Sequence, residues 1–573
     1  MRDVIDVSSP GQLTRRRFVR LTGGGILALP LGLSLLTEAC SSVPPGSSAA
    51  TSGSVAASAK LVYPTYVPFT NVPKPDLPGS PEGVEDAYTA YPSQRTSLNL
   101  SAPGNGGSLS AFVTTSVAPP KPLEQNPAWQ EFNKRANINL QLNISTITDA
   151  ATKLPTIIAA NDLPDAIYVP PGPTGISGFP DFLAARCADL TPFLAGDAVK
   201  NYPALANYPP FLWQSAGVAY NNKIYGVPVC RSPVGNALMF QRQLADPVSR
   251  QLPKSADDFK QLLKDLTSPQ AGVFGFGSSP AAALGMDSGD LFPQIFGAPN
   301  NWKLDSSGAL IKDFETEEFK AALAYARDLF ASGLFHPNSL GYQGRDLTND
   351  FVSGKFVFIN FSWNFDTVWR GSIVLNPSAR VGVAAPFSAG GTSQPIYYLA
   401  SANFGTSVLK KADPARIQEI LAIYNYLASP FGTEEALFLA YGLEGQDYTW
   451  DDHGNPVPTP GGFNNAYVPW RWMAQPPHAQ YSPVQTVEYA QVTHAAEQQM
   501  LSVGVTDPTL TLYAPSDGKL GPAARQAMRD GLTAIVSGRD PMSNFDQLLA
   551  DWRKSAGDAI RAELTSALAA SNP

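Results

Sequence analysis

The chain has 573 residues, 44% hydrophobic and 15% charged. At that length roughly three quarters of the unfolded surface can be buried, which excludes a small disulfide-stapled domain, and the composition excludes bulk disorder. The net charge is −8, and residues 1–39 carry +2, so the body is acidic at −10, which argues against a nucleic-acid partner and leaves neutral sugars and peptides open.

Residues 1–40 read as an export address. A basic run, Thr14-Arg15-Arg16-Arg17-Phe18, precedes an uncharged stretch over 21–37 rich in Leu, Ala and Gly, the layout of a signal peptide. The pair Arg15 and Arg16, with Phe18 after it, resembles a twin-arginine signal. An uncleaved anchor is the competing reading; Gly23, Gly24, Gly25 and Pro30 weigh against it. Leu36-Thr37-Glu38-Ala39-Cys40 resembles a bacterial lipoprotein signal that would place a lipid on Cys40, although Thr37 and Glu38 depart from the usual pattern. Ordinary cleavage to a free protein is the alternative. Residues 41–60 are Ser, Ala, Gly and Pro without an aromatic residue, a flexible tether. Beyond residue 36 no apolar run approaches the ~18 residues of a membrane span. Cys187 and Cys230 are the only candidates for an internal disulfide, and the sequence does not tell whether they pair.

Six prolines between 64 and 81 make 61–107 an extended arm along the surface, since proline neither continues a helix nor donates to a strand. The first regular unit follows. Residues 109–114 suit a strand. Trp129, Phe132 and Ala136 recur at helical spacing. Ile138, Leu140, Leu142 and Ile144 share one face of a strand. A helix over about 150–160 and a short apolar run over 165–169 complete a strand–helix–strand–helix–strand unit, which implies a parallel sheet. Ligands bind beyond the carboxyl ends of such strands, so loops 115–126 and 169–178 are on the expected binding side. Further on, Ser255 with Asp258 reads as a capping box, Thr316 opens a helix, Asp413-Pro414 is an N-cap with proline at the first turn, and Ser543 with Asp546 caps the last long helix.

Reaction chemistry is hard to find. His336, His453, His478 and His494 have no zinc spacing. There is no nucleophile elbow and no phosphate loop. Asp305-Ser306-Ser307-Gly308 resembles the start of a calcium loop, but the ligand series stops at once, so a β-turn is the reading. Several aromatics lie in polar or Pro-bearing contexts: Trp363 in Ser362-Trp363-Asn364-Phe365, Tyr397-Tyr398 after Pro395, Trp450 before the Asp451-Asp452-His453-Gly454 turn, and Trp470 and Trp472 in Pro469-Trp470-Arg471-Trp472. Flat aromatic faces stack on sugar rings while polar neighbours take the hydroxyls; core packing is the competing explanation for each.

The order of several segments resembles the bacterial extracellular solute-binding proteins of carbohydrate-uptake systems, and within them the large lipoprotein branch that handles oligosaccharides. Asn161-Asp162-Leu163-Pro164-Asp165, Asn222-Lys223-Ile224-Tyr225-Gly226-Val227-Pro228, Pro253-Lys254-Ser255-Ala256-Asp257-Asp258-Phe259, Phe351-Val352-Ser353-Gly354-Lys355 with Phe361-Ser362-Trp363, Gly442 to Trp450, and Ser537-Gly538-Arg539-Asp540-Pro541 appear in the family's order. The resemblance spans about 108–570. It implies an α/β, two-lobed periplasmic-binding-protein-like fold of type II with the ligand cleft between lobes: 108–235 the first part of lobe 1, 236–400 mainly lobe 2, and 401–573 crossing segments and C-terminal helices shared between them. It also implies no catalysis and no cofactor. The expected ligand contacts are Trp363 and Asn364, then Arg231, Tyr397 and Tyr398, then Trp450, Trp470, Trp472 and Glu444. The expected partners are an oligosaccharide, the permease subunits of an ABC importer, the twin-arginine export machinery and the membrane, reached through a lipid on Cys40. The protein is expected outside the cytoplasm on the outer face of the cell membrane, as a monomer, with no nucleic-acid partner. Two other readings compete. One is a binder of the same architecture for peptide or another polar solute, for which Arg231 or Glu444 could anchor a charged terminus; the other is a secreted carbohydrate-active enzyme. Where the large branch often carries an acidic loop suited to calcium, this chain has Thr267-Ser268-Pro269-Gln270-Ala271-Gly272. Metal analysis of refolded, dialysed protein is therefore expected to find no stoichiometric calcium, and finding it would refute the reading.

Overall fold

The computed structural model describes residues 61–571 apart from 101, 161, 172–175, 216, 246–251, 287–289, 343 and 364. Arg15, Arg16, Cys40, the 41–60 tether and Asn364 therefore lie outside the described residues. Two sheets organise the rest. The first holds β1 (Ser108–Thr115), β2 (Asn139–Thr146), β3 (Ala166–Val169) and β4 (Gly226–Cys230); the second holds β5 (Asn236–Gln241), β6 (Phe274–Gly277), β7 (Phe356–Ser362) and β8 (Val381–Val383); the chain then returns to the first sheet as β9 (Asn403–Leu409). The orders are β2-β1-β3-β9-β4 and β8-β5-β7-β6. β1 runs parallel to β2 and β3, while β9 is antiparallel to both β3 and β4. β1 to β4 thus share one direction, with α1 (Pro127–Ala136) and α2 (Ile147–Ala159) as the crossovers. In the second sheet β7 is parallel to β6 and antiparallel to β5.

Hydrophobic patterning decides which faces are covered. In β2 Leu140 and Leu142 belong to one core cluster while Asn139, Gln141 and Asn143 are exposed, as an edge strand with one wet face requires. Strands deeper in the sheets are apolar on both sides. Leu238 and Phe240 of β5 join one cluster and Ala237 and Met239 the cluster on the other face. β7 divides likewise, Phe358 one way and Phe356 and Ile359 the other. Each sheet is therefore the middle layer of its own lobe.

The helix signals vary in how they are realised. Ser255 accepts from the Asp258 amide at 3.0 Å at the start of α3 (Ala256–Leu266), and Thr316 from the Phe319 amide at 3.3 Å at the start of α4 (Glu317–Ala331). Asp413, before α5 (Pro414–Leu427), makes no side-chain cap; its carbonyl takes the Arg416 and Ile417 amides instead. α6 (Thr486–Leu501) packs against the second sheet. Ser543 likewise leaves α7 (Asn544–Trp552) without a side-chain cap, and a five-residue π segment, Arg553–Gly557, joins α7 to one more helix, Asp558–Ser571.

The lobes are tied by crossing chains. Residues 231–235 link β4 to β5, and 384–402 link β8 to β9. The two run side by side: the Arg231 amide donates to Ala402 O and the Ala400 amide to Pro233 O, both at 2.9 Å, and Val234 pairs with Leu399. Gly235 is required by this approach, because a Cβ there would sit 2.8 Å from the Ala400 Cβ. A third crossing carries Ala479–Gln480, which pairs in parallel with Asp86–Ala87 of the Pro-rich arm. The arm makes only short pairings with the body, such as Pro64 with Gly196 and Thr96 with Thr433, yet buries Ala87, Tyr88 and Tyr91. Cys187 and Cys230 are buried free thiols.

Candidate functional site

The parallel direction of β1 to β4 puts their carboxyl ends on one edge of the first sheet. Tyr168 near the end of β3, Arg231 just past β4 and Phe404 at the facing start of β9 meet there. The Tyr168 hydroxyl donates to Phe404 O, and the Arg231 guanidinium lies 4.0 Å from the Phe404 ring centroid. Trp472 closes the floor, 5.0 Å from Tyr168 and 5.3 Å from Phe404 between ring centroids. Arg471 and His478 complete the cluster. Loop 115–126 also reaches it: Ser116 Oγ is 3.3 Å from Tyr467 Oη, and the Tyr467 ring lies beside Arg471. Burial, with Arg471 alongside, pushes the Arg231 guanidinium down to about 10. Burial first, then the Arg471 and Arg231 charges, hold the His478 imidazole well below its usual range. His478 is nonetheless solvent-exposed, so it is closely surrounded by protein without being sealed, as a side chain inside a cleft is.

The second sheet delivers Trp363 from the carboxyl end of β7. Its indole Nε1 donates to Glu497 Oε1 at 2.8 Å, and the ring stacks on Phe365 at 5.6 Å. Glu497, fully buried on α6, also accepts from Ser232 Oγ (3.2 Å), Gln480 Nε2 (3.0 Å) and the Glu85 amide (2.8 Å). Gln480 Nε2 donates to Glu85 Oε2 as well, at 2.6 Å. One carboxylate thus gathers the second sheet, the 231–235 crossing, the third crossing and the arm. Burial pushes both carboxyls up, and their mutual repulsion adds to this for Glu85.

The other sequence candidates are dispersed. Tyr397 and Tyr398 are buried, their hydroxyls donating to Asn236 O and Ala298 O. They line a cavity of about 30 Å³ with Asn236, Asp290 and Asn360, room for a water or two and far less than a sugar ring needs. Trp470 packs into the first core against Phe132 at 4.9 Å. Trp450 sits under Arg95 in a separate aromatic group with Tyr91 and Tyr448. Glu444 is exposed in the turn before Tyr448. Arg231, Trp472 and Trp363 are the candidates the fold brings towards one another. A wider hollow of about 510 Å³ lined by Thr89, His453, Asn455 and Gln485 has no Trp, Tyr or Phe in its wall, so it offers no stacking face.

Sequence reasoning missed Tyr168, Phe404, Arg471, His478, Glu85 and Glu497. Arg471 stood inside the Pro469–Trp472 stretch that drew attention for its tryptophans, and its charge was the usable signal. His478 has no neighbour at zinc spacing, and nothing else in the local sequence marks it. Among the described residues no cluster of His, Cys, Asp and Glu is arranged to hold a metal. Asp305 Oδ1 is occupied by the Ser307 and Ala309 amides at 2.8 and 2.9 Å, the β-turn expected there. No described helix is long and apolar enough to cross a membrane.

Comparison with known proteins adds three findings. The family described as bacterial extracellular solute-binding protein matches residues 118–432. Two Bacillus subtilis (strain 168) proteins are similar over most of the chain: lipoprotein LipO, 20% identical across 78% of this chain and 90% of its own length, and the polygalacturonan/rhamnogalacturonan-binding protein YtcQ, 22% identical across 78% and 88%. Among solved structures, the N-glycan transport solute binding protein NgtS of Streptococcus pneumoniae superposes with a TM-score of 0.57 at 14% identity, over 81% of this chain and 99% of that one, which is a likeness of fold.

Proposed function

The chain belongs to the family of bacterial extracellular solute-binding proteins, and from that premise we propose that it binds an oligosaccharide between its lobes and hands it to the permease subunits of an ABC importer, acting as a monomer. The observation that carries this reading is the convergence of strand ends from both sheets: Tyr168, Arg231 and Phe404 from one, Trp363 from the other, joined through Ser232 and Glu497. A ligand touching both sides favours the closed arrangement, because only closure makes both sets of contacts. The antiparallel pairing of 231–235 with 399–402 is a narrow connection about which lobes can close. The names of YtcQ and NgtS, a pectic-polysaccharide binder and an N-glycan transport protein, support a saccharide over a peptide. In the same reading Arg15 and Arg16 direct export by the twin-arginine route, and a lipid on Cys40 with the 41–60 tether keeps the binder near its permease, which raises its effective concentration there.

Titration of the protein's tryptophan fluorescence with a panel of oligosaccharides and peptides tests the proposal. One saccharide series is expected to bind with nanomolar to micromolar dissociation constants and to be recovered intact. Peptide-only binding would overturn the substrate class, and cleavage of the sugar would revive the enzyme reading. Trp363→Ala is expected to raise the dissociation constant about tenfold or more, by loss of a stacking face and of the bond that fixes it; an unchanged constant would remove Trp363 from the site.

A further inference from the structure

Arginines that serve the fold of this protein find acceptors. Arg416 pairs with Asp165 at 3.1 Å and Glu419 at 2.7 Å; Arg553 and Arg561 share Glu315; Arg327 donates to the carbonyls of Ile535 and Asp540. Arg231 and Arg471 differ. Among the arginines whose side chains are described they are the two whose guanidinium donates no hydrogen bond and forms no ion pair; they lie within electrostatic reach of each other, and the buried Nε of Arg471 is left without an acceptor. Each is braced by aromatic rings instead: Arg231 over Phe404 at 4.0 Å, Arg471 at 5.0 Å from Trp472 and 5.7 Å from Tyr467. A ring face steadies the cation while leaving its N–H edge unspent. Glu85, the carboxylate in reach of Arg231, is held by Gln480 at 2.6 Å and makes no ion pair with it.

Two like charges held side by side with unspent donors are costly, and a bound anion would relieve both costs. The planar five-donor fork of a guanidinium matches a carboxylate in bidentate fashion. We propose that the cleft takes a hexuronate-bearing oligosaccharide, with Arg231 and Arg471 jointly holding a sugar carboxylate. This rests on the oligosaccharide reading above and narrows it. His478 would stand beside the same anion, and its imidazole, held neutral by burial and then by the two cations, would gain affinity for a proton once their charge is met.

Calorimetric titration of the purified protein distinguishes the possibilities. The probes are trisaccharides of galacturonate, mannuronate and glucuronate, each against its uncharged methyl ester, with a neutral and a sulfated trisaccharide and a short peptide as further arms. At least one uronate is expected to bind about 10–100-fold more tightly than its ester, the value of one or two charge-assisted bonds. Arg231→Gln and Arg471→Gln are each expected to weaken the acid and bring its advantage over the ester towards one. The acid-against-ester ratio on the unaltered protein does not depend on how well either variant folds. Equal affinity for acid and ester, or binding of the neutral or sulfated sugar alone, would overturn the proposal and leave the oligosaccharide reading in place. Binding of the peptide alone, or of no probe, would overturn both.

Discussion

Trp472→Ala is expected to cost about 3–5 kcal/mol of unfolding stability and to weaken ligand binding in the molecules that remain folded. Trp472 is 1% exposed and is among the largest fully buried side chains. Its ring lies against Tyr168 and Phe404, and Phe404 carries the Arg231 guanidinium. Removing it leaves a cavity beneath the two residues that present the first sheet's strand ends to the cleft, so packing and geometry fail together. Two comparisons separate these effects. The Trp472 Nε1 has no hydrogen-bond partner, so Trp472→Phe discards an unmet donor along with some volume and is expected to cost less than half as much. Trp470→Ala removes a ring equally buried, at 3% exposure, that packs on Phe132 away from Arg231. It is expected to destabilise comparably while the folded fraction binds normally. Denaturant midpoints and ligand titrations on the three variants decide. A loss below about 1 kcal/mol for Trp472→Ala would contradict the packing argument, and normal binding by that variant would make Trp472 a core residue alone.

The two tryptophans show what a sequence can and cannot place. Both stand in one four-residue run, and nothing in their spacing says that one faces Phe132 and the other Tyr168. That difference comes from the tight turn over Pro469–Trp472, which points alternate rings to different parts of the same lobe. Regular elements were legible because their signals are local. The alternation of Ile138 to Ile144 marks one face of a strand, the spacing of Trp129, Phe132 and Ala136 marks a helix, and Ser255 and Thr316 cap helices through a bond three residues long. The site was not legible, because its bonds are distant. Glu85 and Glu497 meet across 412 positions, and Gln480 comes between them only because the third crossing pairs with the arm. Trp363 could be chosen as a strand-end tryptophan, whereas its acceptor could not. The unspent donors of Arg231 and Arg471 are visible only once every other acceptor has a place.

Glu85→Gln is expected to raise the melting temperature above pH 7 and to flatten its decline between about pH 5 and 8. In the folded protein the Glu85 and Glu497 carboxyls are pushed above the usual glutamate range, by burial first and then, for Glu85, by the neighbouring Glu497 charge. Between the unfolded value, about 4.3, and the raised folded values the native state holds more protons than the unfolded state. Stability therefore falls as pH rises through that window. His478 acts in the opposite sense: its lowered folded value makes stability fall as pH drops below the unfolded value of about 6.5. The two slopes compete below pH 6.5, and only the carboxyl slope operates above it. Glutamine at position 85 keeps an oxygen for the Gln480 amide and takes the Glu85 carboxyl, raised by burial and by the Glu497 charge, out of the balance, while Glu497 still accepts from Trp363 and Ser232. Each unit of relieved shift corresponds to about 1.4 kcal/mol, which for a chain of this size is a rise of about 1–2 degrees. Melting curves of both proteins at half-unit steps from pH 5 to 9 measure it. Parallel curves would show that the pair is not strained in the folded protein, and a variant less stable at pH 8 would show that the Glu85 charge supports the fold through Arg231.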